Sequence, residues 1–209
     1  PVSSGMDQIT SPPARKAWRR PALVVNTHSR KGAKLFDEAR ALLRRHGLHP
    51  VMARAGREAA RMGDTVEEVL RKGADLVIVG GGDGSISGTI GALSGGEACF
   101  AALPLGTANS FARTLGIGAD IEAAVAAIAA GHVRPIDLAE IDGHMFANSA
   151  VIGISPVIGD TIQSWIKRWL GRFGYLAWAI RTMVRFRPFR LTVDGPHGTR
   201  ECWATEVRM

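Results

Sequence analysis

Residues 80–85 read Gly-Gly-Gly-Asp-Gly-Ser, which sets one carboxylate, Asp83, among glycines and follows it with a hydroxyl. Glycines let the backbone take positive φ and approach a ligand with no Cβ in the way. Amides exposed in such a turn, beside a helix start, receive phosphate oxygens. A carboxylate placed among bound phosphates holds Mg²⁺ or takes a proton from an attacking hydroxyl. The same turn also suits a chain that only has to reverse tightly, so both readings stand on this segment alone. The spacing lacks the Gly-Lys-Ser/Thr of the P-loop and the third glycine of the dinucleotide fingerprint.

Two further polar loops also follow apolar runs. Pro104-Leu105-Gly106-Thr107-Ala108-Asn109-Ser110 comes after Phe100–Leu103, and Asn26-Thr27-His28-Ser29-Arg30-Lys31-Gly32 comes after Ala22–Val25. Thr107 offers a hydroxyl, and Asn109 or Ser110 can cap the following helix. Ligands of open α/β sheets bind outside the carboxyl ends of the strands, so all three loops are expected to line one crevice.

Together, Gly81-Gly82-Asp83-Gly84-Ser85 and Pro104-Leu105-Gly106-Thr107-Ala108-Asn109 resemble the catalytic domain of the diacylglycerol kinase family, which includes bacterial lipid kinases and the sphingosine and ceramide kinases. The resemblance runs from about Ala22 to the end of the chain and takes in Ile136-Asp137 and the stretch 146–153. It implies an ATP-dependent lipid kinase that uses Mg²⁺ to phosphorylate a lipid hydroxyl at a membrane surface. It also implies an N-terminal α/β domain and a C-terminal β-rich domain, with the active site between them. Under that resemblance Gly81, Gly82, Gly84 and Ser85 hold the nucleotide phosphates with Gly106, Thr107 and Asn109, while Asn26 and Ser29 close the nucleotide side. Asp83 is the one catalytic candidate, positioning Mg²⁺ or helping to deprotonate the lipid hydroxyl. No metal ligand is assigned.

The chain departs from the family pattern in several places. Asn26-Thr27 stands where Asn-Pro is common, Asn109-Ser110 where bacterial members often carry Asn-Asp, and Ser85 where Thr is usual. No clear match to a threonine of the family occurs near Ala53–Gly56. Members of the family are longer, and their base and metal-site residues lie in the later part. The chain is therefore expected to be a fragment or a shortened form that binds nucleotide weakly and turns over poorly. NAD kinases and phosphofructokinases share the glycine-glycine-aspartate turn, and a non-catalytic nucleotide- or lipid-binding module is a further alternative.

The elements that must hold these loops follow from periodicity. Leu76–Val79 suits a strand buried on both faces. Leu35, Phe36, Ala39, Leu42 and Leu43 share a helical face that Gly47 ends. A strand near Leu48–Ala53, helices over Glu58–Lys72 and Ser85–Leu93, and a helix from an Asp120 N-cap to Ala130 complete an alternating strand–helix order. The expectation is an α/β chain, a doubly wound parallel-sheet domain over 22–133 preceded by a flexible tail, 1–21. Beyond residue 133 the rhythm becomes antiparallel, with hairpin turns at Asp142-Gly143 and Asp194-Gly195, which predicts the start of a β-rich second domain over 134–209. An incomplete sheet leaves an unpaired edge, so self-association is expected.

Hydrophobic residues make up 46% of the 209 and charged ones 22%, in the range of globular domains. Two cysteines, Cys99 and Cys202, and six scattered histidines form neither a disulfide framework nor a metal-ligand cluster, which points to a reducing, cytoplasmic setting. His28 alone lies in a candidate ligand loop. From Thr161 to Val193 there are seven basic residues and no acidic one, whereas the other 19 of the 26 basic residues are matched by 19 acidic ones. Trp165, Trp169, Phe173, Tyr175, Trp178, Phe186 and Phe189 are interleaved, within a helical insertion expected at about 158–187. That mixture suits peripheral association with an anionic membrane, and equally a core helix with a solvated basic face. No nucleic-acid-binding module accompanies the charge.

Overall fold

The computed structural model describes residues 14–27, 30–56, 61–118, 120–156, 171–196 and 198–208. They divide into two compact units, residues 1–148 and 149–209. The first is built on strands β2 (Pro21–Asn26), β3 (Met52–Gly56), β4 (Leu76–Gly81) and β5 (Cys99–Pro104), all parallel and ordered β3-β2-β4-β5. Between them run helices α1 (Arg30–Arg45), α2 (Met62–Arg71) and α3 (Asp83–Leu93), followed by α4 (Ser110–Thr114) and α5 (Ile121–Ala130).

Side-chain alternation along the strands divides the core into two layers. Ala22, Val24, Val77 and Val79 pack with Val66 and Val69 of α2 and Ile86 and Ile90 of α3. Leu23, Val25, Leu76 and Ile78 pack on the other face with Ala39 and Leu43 of α1 and Val125 and Ile128 of α5. Helices cover both faces, which is the doubly wound arrangement, and the continuous apolar runs of β2 and β4 are what a sheet covered on both sides requires. Full burial of each Leu, Val or Ile is worth roughly 1.5–3 kcal/mol.

Glycine ends α1 as expected. Gly47 has φ of 79°, and Leu48 N–H reaches back to Leu43 O at 2.9 Å, the long bond of a Schellman cap. That bond fixes Leu48 in the core layer, so the next strand begins later than the Leu48–Ala53 reading, at Met52. Its register with β2 pairs Ala22 with Met52 and Asn26 with Gly56. Helix α2 occupies 62–71 of the expected 58–72, with 57–60 outside the described residues. Asp120 caps α5 as read, accepting the amides of Glu122 and Ala123 at 3.3 and 3.1 Å.

Residues 14–20, read with the tail, are bound into this unit. A short β1 (Ala14–Arg15) pairs antiparallel with β6 (His132–Val133). Lys16 N–H donates to Gly131 O at 2.9 Å, and Asp75 accepts the amides of Arg19 and Arg20 at 2.6 and 2.9 Å. Strands β7 (Ala139–Ile141) and β8 (His144–Phe146) form the hairpin expected at Asp142-Gly143, with φ of 49° and 78° at the two turn residues. Leu138, Met145 and Ala147 around it pack on the α2–α3 layer of the first unit.

The second unit contains β9 (Val151–Gly153), α6 (Gly171–Arg185), β10 (Phe189–Gly195), β11 (Gly198–Ala204) and β12 (Glu206–Arg208). β10 and β11 form an antiparallel hairpin, and β12 pairs antiparallel with β9. Between β11 and β12 the strand breaks at Thr205, whose carbonyl accepts Ile154 N–H at 3.1 Å and turns the chain toward β9. Of the basic-aromatic segment, 157–170 lies outside the described residues. Among the described residues no helix is long and apolar enough to cross a membrane.

Candidate functional site

The chain leaves β2 outward to β3, then returns past β2 to β4, so the strand order reverses between β2 and β4. Crevices at such a reversal, outside the carboxyl ends of the strands, are where open α/β sheets take ligands. Asn26 ends β2 and Gly81 ends β4. Their neighbourhood is tightly built. Asn26 Nδ2 donates to Ser85 Oγ at 2.8 Å, and a Cβ on Gly81 would lie 2.5 Å from the Ser85 Cβ. Ser85 is buried, so its hydroxyl locks the two strand ends together from beneath the turn.

The other two bends meet here. Leu105 N–H donates to Gly81 O at 3.1 Å, and a Cβ on Gly106 would fall 2.4 Å from the Gly82 Cα. Glycine at 106 is thus demanded by backbone passing against backbone, and a Cβ on Gly82 would sit tightly, 3.2 Å from the Gly106 Cα. Asn109 sits at φ of 49° and folds its side chain back over the bend. Its Oδ1 accepts Gly106 N–H at 2.9 Å, and its Nδ2 donates to Gly106 O at 2.8 Å. The amide of Gly106 is therefore engaged within its own loop, while Thr107 is exposed at the tip.

Asp83 is a helical residue, the first of α3, where the reading from sequence began that helix at Ser85. The αL backbone at Asn109 and its inward-folded side chain leave the N-terminus of α4 without a local side-chain cap. Asp83 supplies one from the other bend, accepting Phe111 N–H on Oδ1 at 2.9 Å. This bond chiefly holds the Asp83 carboxyl below its ordinary pKa; burial, the next largest effect, opposes it, and the Ser110 amide and hydroxyl and Asp83's own amide add smaller help. Phe111, itself buried, anchors α4 through ring contact with Phe100 of β5 at 5.9 Å between centroids. Phe111 was missed as a site residue, because no local spacing shows that a cap is supplied from 28 positions away.

Above the start of α3 there is room. A Cβ on Gly84 would meet nothing within 4 Å. The first amides of a helix have no acceptor within it, so Gly82 and Gly84 present N–H groups with positive partial charge. Those amides, the Thr107 hydroxyl and the ionised Asp83 carboxylate are the groups that can face a phosphorylated ligand. Mg²⁺ takes phosphate oxygens, water and one or two carboxylates rather than an all-protein cage. Asp83 fits that single-carboxylate pattern, and among the described residues no three His, Cys, Asp or Glu side chains gather into a metal-binding group. Asn26, Gly81, Gly82, Asp83, Gly84, Ser85, Gly106, Thr107 and Asn109 thus lie at one end of one sheet. Ser29, and His28 beside it, lie outside the described residues.

The family model described as the diacylglycerol kinase catalytic domain matches residues 20–141. A curated relative from Pseudomonas aeruginosa PAO1, named "Probable lipid kinase YegS-like", is 42% identical over 113 residues, covering 53% of this chain and 37% of that protein. One of the same name from Enterobacter sp. strain 638 is 33% identical over 180 residues, covering 83% of this chain and 59% of that one. A crystal structure of a diacylglycerol kinase from Bacillus anthracis Sterne matches with a TM-score of 0.70 at 25% identity, covering 93% of this chain and 64% of its own. A second crystal structure from the same strain matches at 0.74 and 28% identity, with 93% and 65% covered. The chain therefore spans only part of the length of these relatives, from about a third to two thirds.

Proposed function

The chain belongs to the diacylglycerol kinase catalytic-domain family, and from that premise we propose that it is the nucleotide-binding part of an enzyme that transfers the γ-phosphoryl group of ATP to a lipid hydroxyl. The observation that carries this reading is the packing of the Gly82 and Gly106 bends against each other at the strand-order reversal, beneath the open space over Gly84. Phosphoryl transfer needs mainly positioning and charge neutralisation, and these are the means that such a crevice offers. Mg²⁺, arriving with the nucleotide, would neutralise phosphate charge. The amides of Gly82 and Gly84 would hold phosphate oxygens in the partly positive field of the α3 N-terminus. Thr107 would donate its hydroxyl from the facing bend.

Asp83 enters this scheme as a fixed negative charge and a brace. A carboxylate already accepting backbone amides, with its pKa lowered, is a weak proton acceptor. Its use is to face a cation and to keep the two bends in register. The Asn26–Ser85 bond and the Asn109–Gly106 pair play supporting parts, holding the strand ends and the facing loop in shape.

The test is to incubate the protein with γ-labelled ATP, Mg²⁺ and mixed lipid vesicles containing diacylglycerol, then extract the organic phase, with NAD and sugar phosphates assayed in parallel. Weak label in the lipid fraction, with weak nucleotide binding, is the expected result for a chain that spans only part of its relatives' length. Label in NADP or a sugar bisphosphate, with none in lipid, would replace the acceptor. Absence of any nucleotide binding by calorimetry would remove the reading altogether.

A further inference from the structure

Helix α6 of the second unit carries apolar side chains on its solvent side. Trp178, Thr182 and Phe186 recur every fourth residue and are half-buried, whereas Ile180, Met183 and Val184 are 55, 68 and 81% exposed. At 3.6 residues per turn, Ile180 and Val184 lie nearly opposite Thr182, on the face turned away from the unit's interior. Arg181 and Arg185 are exposed along one flank of this ridge, and exposed Arg187 follows the helix end. A solvated helix face is ordinarily polar. Here it is apolar and edged by arginines, in a stretch from Thr161 to Val193 with no acidic residue. In the same unit Trp203, 74% exposed, stands cross-strand from Arg190, whose guanidinium is paired with Glu201.

We propose that α6 is a docking helix for an anionic lipid bilayer, with Ile180, Met183 and Val184 entering the headgroup boundary and Arg181, Arg185 and Arg187 on lipid phosphates. Charge selects this occupant. An apolar ridge with a basic flank gains both burial and counter-charge at an anionic interface. A second copy of the chain would bring the same uncompensated arginines to the contact. The lipid-kinase reading gives such docking a use, but binding itself needs no nucleotide, so either idea can fail alone.

The experiment is sedimentation of the protein with vesicles in the absence of nucleotide, comparing phosphatidylglycerol–phosphatidylcholine mixtures with phosphatidylcholine alone. Binding is expected to the mixed vesicles and to weaken as salt is raised. Arg181→Gln with Arg185→Gln should weaken it roughly 30-fold, at about fivefold per arginine near an anionic surface. Val184→Asp should weaken it at least about tenfold and Met183→Ser several-fold, with circular dichroism unchanged because these side chains are exposed. The proposal is overturned if pure phosphatidylcholine binds equally well, or if the arginine pair and Val184→Asp variants bind like the parent chain. It is also overturned if the free protein is a dimer that Val184→Asp splits, since a second copy would then occupy the face. Vesicle binding by a protein that shows no nucleotide binding in calorimetry would support the docking helix and remove the kinase reading.

Discussion

Asp83 opens α3 yet caps α4: its Oδ1 accepts the Phe111 amide at 2.9 Å across 28 residues of chain. One carboxylate thereby joins the two bends that the candidate site needs, and its ionised form is the one that the bond favours. Removing it should loosen a helix start as well as remove a charge. Asp83→Ala is expected to cost about 1–2 kcal/mol at neutral pH, in the range of lost N-caps. Asp83→Asn keeps one acceptor oxygen for Phe111 and loses only the charge at two helix N-termini, a cost of about 0.5–1 kcal/mol. Urea denaturation of the three proteins checks the order, and equal stabilities would show that the cap carries no weight.

The same bond sets a pH dependence. The Asp83 carboxyl is held below its ordinary value of 3.8 in the folded state. A depressed folded pKa contributes stability that is fully present above the unfolded value and fades as pH falls through the folded one. The parent chain should therefore lose part of its stability below about pH 4, and Asp83→Asn should lack that part of the slope. Matched stability curves from pH 7 to pH 3 measure the difference, and parallel curves would mean that Asp83 titrates alike in both states.

Much of this arrangement was legible in the sequence, and the boundary of legibility has a physical cause. The buried runs of β2 and β4, the Gly47 stop, the Asp120 cap and the Asp142-Gly143 turn are local signals, each fixed by residues a few positions apart. The meeting of the Gly81–Ser85 and Leu105–Asn109 bends beside the Asn26 strand end followed from the rule that parallel strands present their carboxyl ends together. The start of β3 was misplaced because register with β2, a tertiary property, decides which residues extend. Asp83's partner was invisible for the same reason: a missing cap at Asn109 shows in its αL backbone, and no pattern of residue types encodes that. The break at Thr205 and the pairing of residues 14–15 with β6 likewise depend on distant strands.

Asn26 and Ser85 provide a separable test of the strand-end lock. Their 2.8 Å bond joins β2 to the start of α3 in a partly buried setting. A double-mutant cycle with Asn26→Ala and Ser85→Ala should give a coupling of about 0.5–1.5 kcal/mol, the net worth of one such bond. Coupling near zero would mean that the two side chains hold their places independently.

Thr107 is exposed at the tip of its bend, so it tests binding with little interference from folding. Thr107→Val should leave the melting temperature within about two degrees, since exposed substitutions usually change stability by under about 0.5 kcal/mol. If its hydroxyl meets a phosphate, the ATP dissociation constant should rise about tenfold or more, because bonds to charged groups are worth roughly 1.5–3 kcal/mol. Unchanged affinity by calorimetry would take Thr107 out of the nucleotide site.

Gly84 and Gly106 separate ligand contact from backbone necessity most sharply. A Cβ at Gly106 would strike the Gly82 Cα at 2.4 Å, so Gly106→Ala must push the bends apart and should destabilise the fold by about 2 kcal/mol or more. A Cβ at Gly84 meets nothing within 4 Å, and the position is helical. Gly84→Ala should therefore fold at least as well, gaining up to about 0.5–1 kcal/mol from helix propensity. The same methyl group would stand in the space where phosphate oxygens approach the α3 amides, so ATP affinity should fall about tenfold or more, a loss of about 1.4 kcal/mol. A stable Gly84→Ala protein that binds ATP like its parent would show that the nucleotide does not sit over the start of α3.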